Sequence, residues 1–200
     1  MKYYYKFNSE ELILEVPDQV YYPREDSELI AKVLREEHIK DKKVLDMGCG
    51  SGLLAIISAK MGADVTACDI NPIAVEIAKK NCERNSMTIR FILSNLFSNI
   101  TDSFDLLIFN PPYLPENEED LYSEDKITYA GGPTGRKLIT EFIEHAKEHL
   151  NKDGKILTLI STLTSEERIV ELFHEAGLKT KILGRSKIPW EELIVIEARI

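Results

Sequence analysis

From residue 42 onward, short apolar runs alternate with longer segments of helical spacing. The runs are Val44-Leu45-Asp46, 64–69, 89–93, 104–109 and 155–160. They are too short for helices and apolar on successive positions, which marks strands buried on both faces. The segments 53–60, 72–81, 135–150 and 165–176 between them are predicted helices, the last stopped by Gly177 at a C′ position. Strand and helix in alternation predict an α/β fold, an open and mostly parallel seven-stranded sheet with helices on both faces. Two closing strands, near 179–183 and 193–198, leave only 184–190 between them. That is too short for a crossover helix, so the last strand is expected to be antiparallel. Ahead of this pattern lie a short strand at 11–16, an extended lead at 20–23 and a helical face from Ser27 to Leu34 with Asp26 as its N-cap. The expected division is a flanking segment, 1–24, and a single domain, 25–200.

With 200 residues, 44% of them hydrophobic, the chain can bury one substantial core. A net charge of −9 argues against a sequence-independent nucleic-acid binder, which needs a basic footprint. Glu116, Glu118, Glu119 and Asp120 form an acidic stretch that either solubilises a loop or attracts a basic substrate face. Cys49, Cys68 and Cys82 are an odd set without metal-pair spacing, which fits a reducing compartment. His145 and His149 share a helical face but have no third ligand type nearby, so no metal is expected. No apolar run approaches membrane-spanning length, and Met1-Lys2-Tyr3-Tyr4-Tyr5 is unlike a signal peptide. The expected location is the cytoplasm.

The chemistry gathers at strand ends. Asp46-Met47-Gly48-Cys49-Gly50-Ser51-Gly52 sits where the first strand turns into a helix, and its glycines let backbone approach a ligand closely. The turn lacks the lysine and hydroxyl of a P-loop. Asp46 would repel a pyrophosphate there but suits a ligand carrying an ammonium group. Asp69, 23 residues on at the next strand tip, can accept both hydroxyls of a ribose. Asn95, after the third strand, can read an adenine amino group. Together they fit a compact cationic adenosine derivative, S-adenosylmethionine.

The fourth strand stops in Asn110-Pro111-Pro112-Tyr113. Neither proline has a ladder N–H, and both stiffen the turn. The Asn110 side-chain oxygen and the Pro111 carbonyl can therefore pin both hydrogens of a flat NH2 group, with Tyr113 stacked against it. By the crevice rule for open sheets, Asp46, Asp69, Asn95 and Asn110 share one cleft. An amide nitrogen held in this way is aimed at a methyl donor without a strong general base. The turn alone leaves glutamine and adenine open. An adenine-N6 methyltransferase would need a recognition region and a phosphate path, for which little chain is left. A protein lysine methyltransferase would need a base, and none is evident beside Asn110. A noncatalytic adapter would have little use for intact acidic and Asn-Pro-Pro-Tyr residues.

The glycine turn 46–52 and Asn110-Pro111-Pro112-Tyr113, with Cys68-Asp69-Ile70-Asn71-Pro72, resemble the class I S-adenosylmethionine-dependent methyltransferases. Adding Tyr22-Pro23-Arg24-Glu25-Asp26-Ser27 and Gly131-Gly132-Pro133-Thr134-Gly135-Arg136, the pattern is similar to the HemK-related protein glutamine methyltransferases, in the short archaeal and eukaryotic form. The resemblance implies a Rossmann-like fold, and S-adenosylmethionine converted to S-adenosylhomocysteine. It also implies a substrate, the glutamine of the Gly-Gly-Gln loop in the class-one translation termination (release) factor. Asp46, Gly48 and Gly50 would line the methionine end, Asp69 the ribose and Asn95 the adenine, with Ile70 and Leu96 also touching the cofactor. Tyr22 and Pro23 would roof the cofactor, with Ser27 and Asn110 also in contact. Asn110, Pro111, Pro112 and Tyr113 would hold the glutamine amide. Many relatives carry Asp where Asn95 stands, and some carry Thr in place of Ser27. A small zinc-containing activator subunit is expected at the edge formed by the third strand. There Ile89, Phe91 and Leu93 share one face, and Arg90 and Ile92 the other.

Overall fold

The computed structural model describes residues 1–114, 132 and 134–200. The acidic stretch Glu116–Asp120 and residues 131 and 133 of the glycine loop lie outside the described residues. A seven-stranded sheet forms the centre. Its strands are β3 (Lys43–Met47), β4 (Asp64–Asp69), β5 (Arg90–Leu93), β6 (Phe104–Phe109), β7 (Leu150–Ser161), β8 (Lys179–Ile188) and β9 (Glu191–Arg199). The spatial order is β5-β4-β3-β6-β7-β9-β8, and β9 alone runs opposite to the other six strands. The expected mostly parallel sheet with an antiparallel last strand is present. The reversal of order between β4 and β6, on either side of β3, makes the topological switch.

Side-chain alternation explains why the strands read as continuous apolar runs. Val44, Leu106 and Ile108 enter one buried cluster, with residues of α1 (Glu25–Leu34) and α2 (Leu53–Lys60). Leu45, Met47, Leu107 and Phe109 enter a second cluster on the opposite face. There they meet α4 (Lys137–Ala146) and α5 (Glu166–Glu175), with Phe142 and Phe173 fully buried. Both faces are covered, so few polar residues are buried in mid-strand, Thr66 and Thr158 among them. At the end of α5, Gly177 N–H bonds to His174 O at 2.9 Å and Leu178 N–H to Phe173 O at 2.9 Å, the C-terminal motif expected there.

Several boundaries differ from expectation for identifiable reasons. β1 (Lys2–Phe7) pairs with β2 (Glu10–Glu15) in a hairpin turning on Asn8, whose φ is +53°. The sequence pattern had pointed only to the second of these strands. The helix α3 (Pro72–Arg84) runs past the expected end because its side chains grip this hairpin. Asn81 accepts the Glu15 N–H at 2.8 Å and donates to the Glu15 and Ser51 carbonyls, each at 2.9 Å. Asn85, one turn on, pairs with Ile13 N–H and C=O in the same way. Two asparagines thus imitate a neighbouring strand and tie the hairpin to the glycine turn through Ser51. The helix expected at 135–150 ends earlier, and β7 begins at Leu150, with a register shift opposite Phe104 and Leu106.

Asp26 is not an N-cap. α1 begins one residue before it, capped by Arg24 without a side-chain bond, and Asp26 lies inside the first turn. Glu25, Asp26 and Glu28 together supply the negative charge that a helix start favours. Asp26 is turned inward and only 4% exposed.

Candidate active site

The carboxyl ends of β3, β4, β5 and β6 open onto one cleft of about 330 Å³, within the usual range for small-molecule sites. Pro23, Ser27, Asp46, Gly48, Gly50, Asp69, Ile70, Asn95, Leu96, Asn110, Pro111, Pro112 and Tyr113 all line it. Tyr22 does not. Its ring meets Tyr3 edge-on at 5.5 Å and its hydroxyl donates to the Lys2 carbonyl, so it belongs to the hairpin contact. Tyr21 lines the cleft instead. The hairpin contact draws the Tyr22 ring away while Tyr21 donates to Asp26 on the cleft side, and the sequence offered two adjacent tyrosines.

Asp46 is 1% exposed at the end of β3, directly before the glycine turn. One oxygen accepts the Ala55 N–H near the start of α2, and Oδ2 has no partner. Burial pushes its carboxyl up to about 7, against the Ala55 bond, with Asp69 adding to the rise. A buried acceptor left open is costly unless something that belongs there satisfies it. Gly50 has φ +52°, and nothing lies within 4 Å of where a Cβ would stand. That empty cradle and the open carboxylate oxygen are what a close-fitting cationic ligand would fill.

Asp69 anchors the other side of the turn. Oδ2 accepts the Gly50 N–H at 2.9 Å and Oδ1 the Asn71 N–H at 2.9 Å. Burial raises its carboxyl, and backbone bonds from Asn71, Gly50 and Ile70 oppose the rise. Asn71 caps α3 by accepting the Ile73 N–H, so the acidic tip is held from both directions. Beyond β5, the buried Ser94 hydroxyl donates to Leu96 O and accepts the Asn99 N–H. This shapes the turn that presents Asn95 and Leu96, the latter at φ +44°.

On the β6 side, Pro111 is buried, while Asn110, Pro112 and Tyr113 are half-buried. Asn110 Nδ2 donates to Asp26 Oδ2 at 3.1 Å, and its Oδ1 is buried without a partner. Among the described residues, three buried side-chain polar atoms lack a hydrogen bond: Asp46 Oδ2, Asn110 Oδ1 and Thr158 Oγ1. Two of the three belong to residues of this cleft, which marks where a ligand is missing its partners. A carboxylate does stand beside Asn110, against the reading that no candidate base lies there, but Asp26 already accepts from Tyr21, Ser27 and Asn110 itself. Burial is the main cause that raises the Tyr113 phenol, followed by Asp26. Gly135, at φ +68°, packs so close to the Tyr113 carbonyl that a Cβ would come within 2.2 Å of it. Sequence reasoning missed Tyr21, Asp26 and the α4 residues Lys137 and Leu138 as lining. The signal for Asp26 in the sequence was its place directly before Ser27 in the segment 22–27, but only the fold brings it beside Asn110.

A parallel sheet with a switch point at β3, two acidic strand tips around a glycine turn and a Pro-Pro stop on β6 define a protein of the class I methyltransferase fold. The chain belongs to the methyltransferase small domain family, whose model matches residues 25–182. It is 41% identical over 187 residues to a Methanocaldococcus jannaschii protein named "putative protein N5-glutamine methyltransferase", an alignment covering 92% of this chain and 94% of that one. A Lactococcus lactis release factor glutamine methyltransferase is 34% identical over 156 residues, 73% of this chain and 57% of that longer relative. The fold also matches the E. cuniculi Mtq2–Trm112 complex, described as responsible for methylation of the eRF1 translation termination factor. That match has a TM-score of 0.74 at 24% identity, over 90% of this chain and 98% of the other.

Proposed function

We propose that the protein is an S-adenosylmethionine-dependent methyltransferase that modifies the side-chain amide nitrogen of a glutamine in a translation release factor. The observation that carries this reading is the buried, unpartnered Asn110 Oδ1 on a proline-stiffened turn at the edge of the acidic cleft. Bound in that cleft, S-adenosylmethionine supplies an electrophilic methyl group and leaves as S-adenosylhomocysteine. Asp46 Oδ2 has the open valence for its ammonium group, Asp69 the acceptor oxygens for its ribose, and Gly50 the space against its backbone-facing side.

The chain's own work is to hold an unreactive nitrogen. An amide lone pair is delocalised, so it needs orientation more than activation by a base. Asn110 Oδ1 and the Pro111 carbonyl accept its two hydrogens, and they favour the positive charge that builds on nitrogen as its bond to carbon forms. Tyr113 supplies an apolar face for the plane of the amide. The methylated nitrogen then loses its proton to solvent.

The names of relatives favour glutamine over adenine as the owner of the NH2 group. A small activator subunit is part of the same proposal, by analogy with the E. cuniculi complex, and a structural zinc in that subunit follows from the family resemblance alone. β5 is an edge strand with Leu93 49% exposed, which leaves an apolar position for such a subunit to cover. No helix among the described residues is long and apolar enough to cross a membrane, and a translation-factor substrate fits action in the cytoplasm. The deciding experiment is transfer of labelled methyl to purified archaeal release factor, to its variant with Ala in place of the Gly-Gly-Gln glutamine, and to adenine-containing DNA. Label on the first alone supports the proposal; label on DNA, or on the glutamine-less factor, sinks it.

A further inference from the structure

Asp26 has no part in the reading above, yet it contacts the residue on which that reading turns. Both its oxygens are used. Oδ1 accepts Ser27 N–H at 2.6 Å and Ser27 Oγ at 3.2 Å, and Oδ2 accepts Tyr21 OH at 2.8 Å and Asn110 Nδ2 at 3.1 Å. Asp26 and Asn110 are 84 positions apart, on α1 and at the end of β6. We propose that Asp26 is a positioning residue that fixes which end of the Asn110 amide faces the cleft, and so makes the site selective for NH2 donors over carbonyl or carboxylate groups.

The argument is one of donors and acceptors. A side-chain amide is nearly symmetric in shape, so a stiff turn can hold Asn110 in two orientations that differ only in which end is oxygen. A carboxylate accepts and never donates. Only the orientation with Nδ2 toward Asp26 avoids setting oxygen against oxygen. That choice sends Asn110 Oδ1 the other way, where it is buried and has no protein partner. The inverted amide would present NH2 to the cleft and repel the hydrogens of an incoming glutamine, while welcoming the oxygens of a glutamate. Tyr21 supports the arrangement by giving its hydroxyl hydrogen to the same Oδ2, in surroundings whose burial disfavours the phenolate. Tyr21 OH therefore acts as a donor toward Asp26 and reinforces its acceptor role.

This inference rests on Asn110 being the amide-binding residue. Its test has one arm that depends on the methyl acceptor and one that does not. In the first, single-turnover methyl transfer to release factor is measured for Asp26→Asn, Asp26→Ala and Tyr21→Phe, with cofactor affinity by calorimetry. Asp26→Asn keeps shape but must turn an NH2 group toward either Ser27 N–H or Asn110. Loss of a charge-assisted bond predicts a rate lower by about 10- to 100-fold in both Asp26 variants. Cofactor affinity should stay within about threefold, and Tyr21→Phe should lose less than either. In the second arm, the Asn110 side-chain NH2 pair is identified in a 1H–15N spectrum by its absence in Asn110→Ala. Slow exchange of this pair in the wild type and fast exchange in Asp26→Ala support the proposal. Wild-type turnover in Asp26→Asn, or an Asn110 pair that exchanges freely in the wild type, overturns it. If the wild type fails to methylate release factor, the substrate reading fails, and the spectrum still decides the role of Asp26.

Discussion

Asp69 Oδ2 accepts the Gly50 amide hydrogen at 2.9 Å, joining the tip of β4 to the glycine turn after β3. One carboxylate therefore both shapes the turn and lines the cleft. Asp69→Ala is expected to weaken cofactor binding by about 10- to 100-fold, the scale of a hydrogen bond to a charged group. Calorimetry on the purified variant measures this; unchanged affinity would remove Asp69 from the cofactor site.

Asp46 links function to stability. Its carboxyl lies near 7 in the folded protein because burial disfavours the charge, whereas the unfolded chain ionises it near the ordinary value of 3.8. Below 3.8 both states hold the proton. Between about 4 and 7 only the folded state does, so rising pH progressively destabilises the ligand-free protein; above about 7 the effect levels off. Asp46→Asn should therefore be more stable than the wild type without cofactor. The gap should widen by on the order of 2 kcal/mol between pH 5 and 8. The same variant should bind cofactor poorly. Thermal unfolding at a series of pH values, with and without cofactor, checks both halves.

The buried, unpartnered acceptor Asn110 Oδ1 is the part that the proposal ties most directly to turnover. Asn110→Ala is expected to lower kcat by about 100-fold or more, while cofactor affinity changes by less than about threefold. A variant that turns over at the wild-type rate would refute the proposed role.

Gly135 and Tyr113 meet backbone to backbone. A Cβ at 135 would sit 2.2 Å from the Tyr113 carbonyl, and the positive φ of +68° adds strain for any other residue. Gly135→Ala should displace the Tyr113 end of the turn and cut kcat by about tenfold or more. Global stability should change by only about 1–3 kcal/mol. Kinetics paired with denaturant unfolding separates the two effects.

Leu93 offers a test of the activator proposal. On the β5 edge it is 49% exposed, beside the half-buried Phe91 and Ile92. Leu93→Lys should leave the isolated chain folded but abolish co-purification with a co-expressed small subunit. A fully active monomer without such a subunit would show that the edge serves no activator.

Much of this protein was legible in the chain because its physics is local. Strand and helix periods, the crossover rule and the lack of room before the last strand determined a mostly parallel sheet with an antiparallel close. A parallel sheet puts strand ends together, so Asp46, Asp69, Asn95 and Asn110 could be assigned to one cleft from spacing alone. Local pattern failed where contacts are distant. The grip of Asn81 and Asn85 on the hairpin and the choice of Tyr21 over Tyr22 depend on contacts across 20 to 72 residues of chain. The pairing of Asp26 with Asn110 is the clearest case. In sequence Asp26 has the credentials of a helix cap, because an acidic residue before an apolar stripe carries that meaning everywhere. Only the fold, which sets the first turn of α1 beside the residue that follows β6, turns it inward, where a carboxylate that can only accept decides which way a distant amide must face.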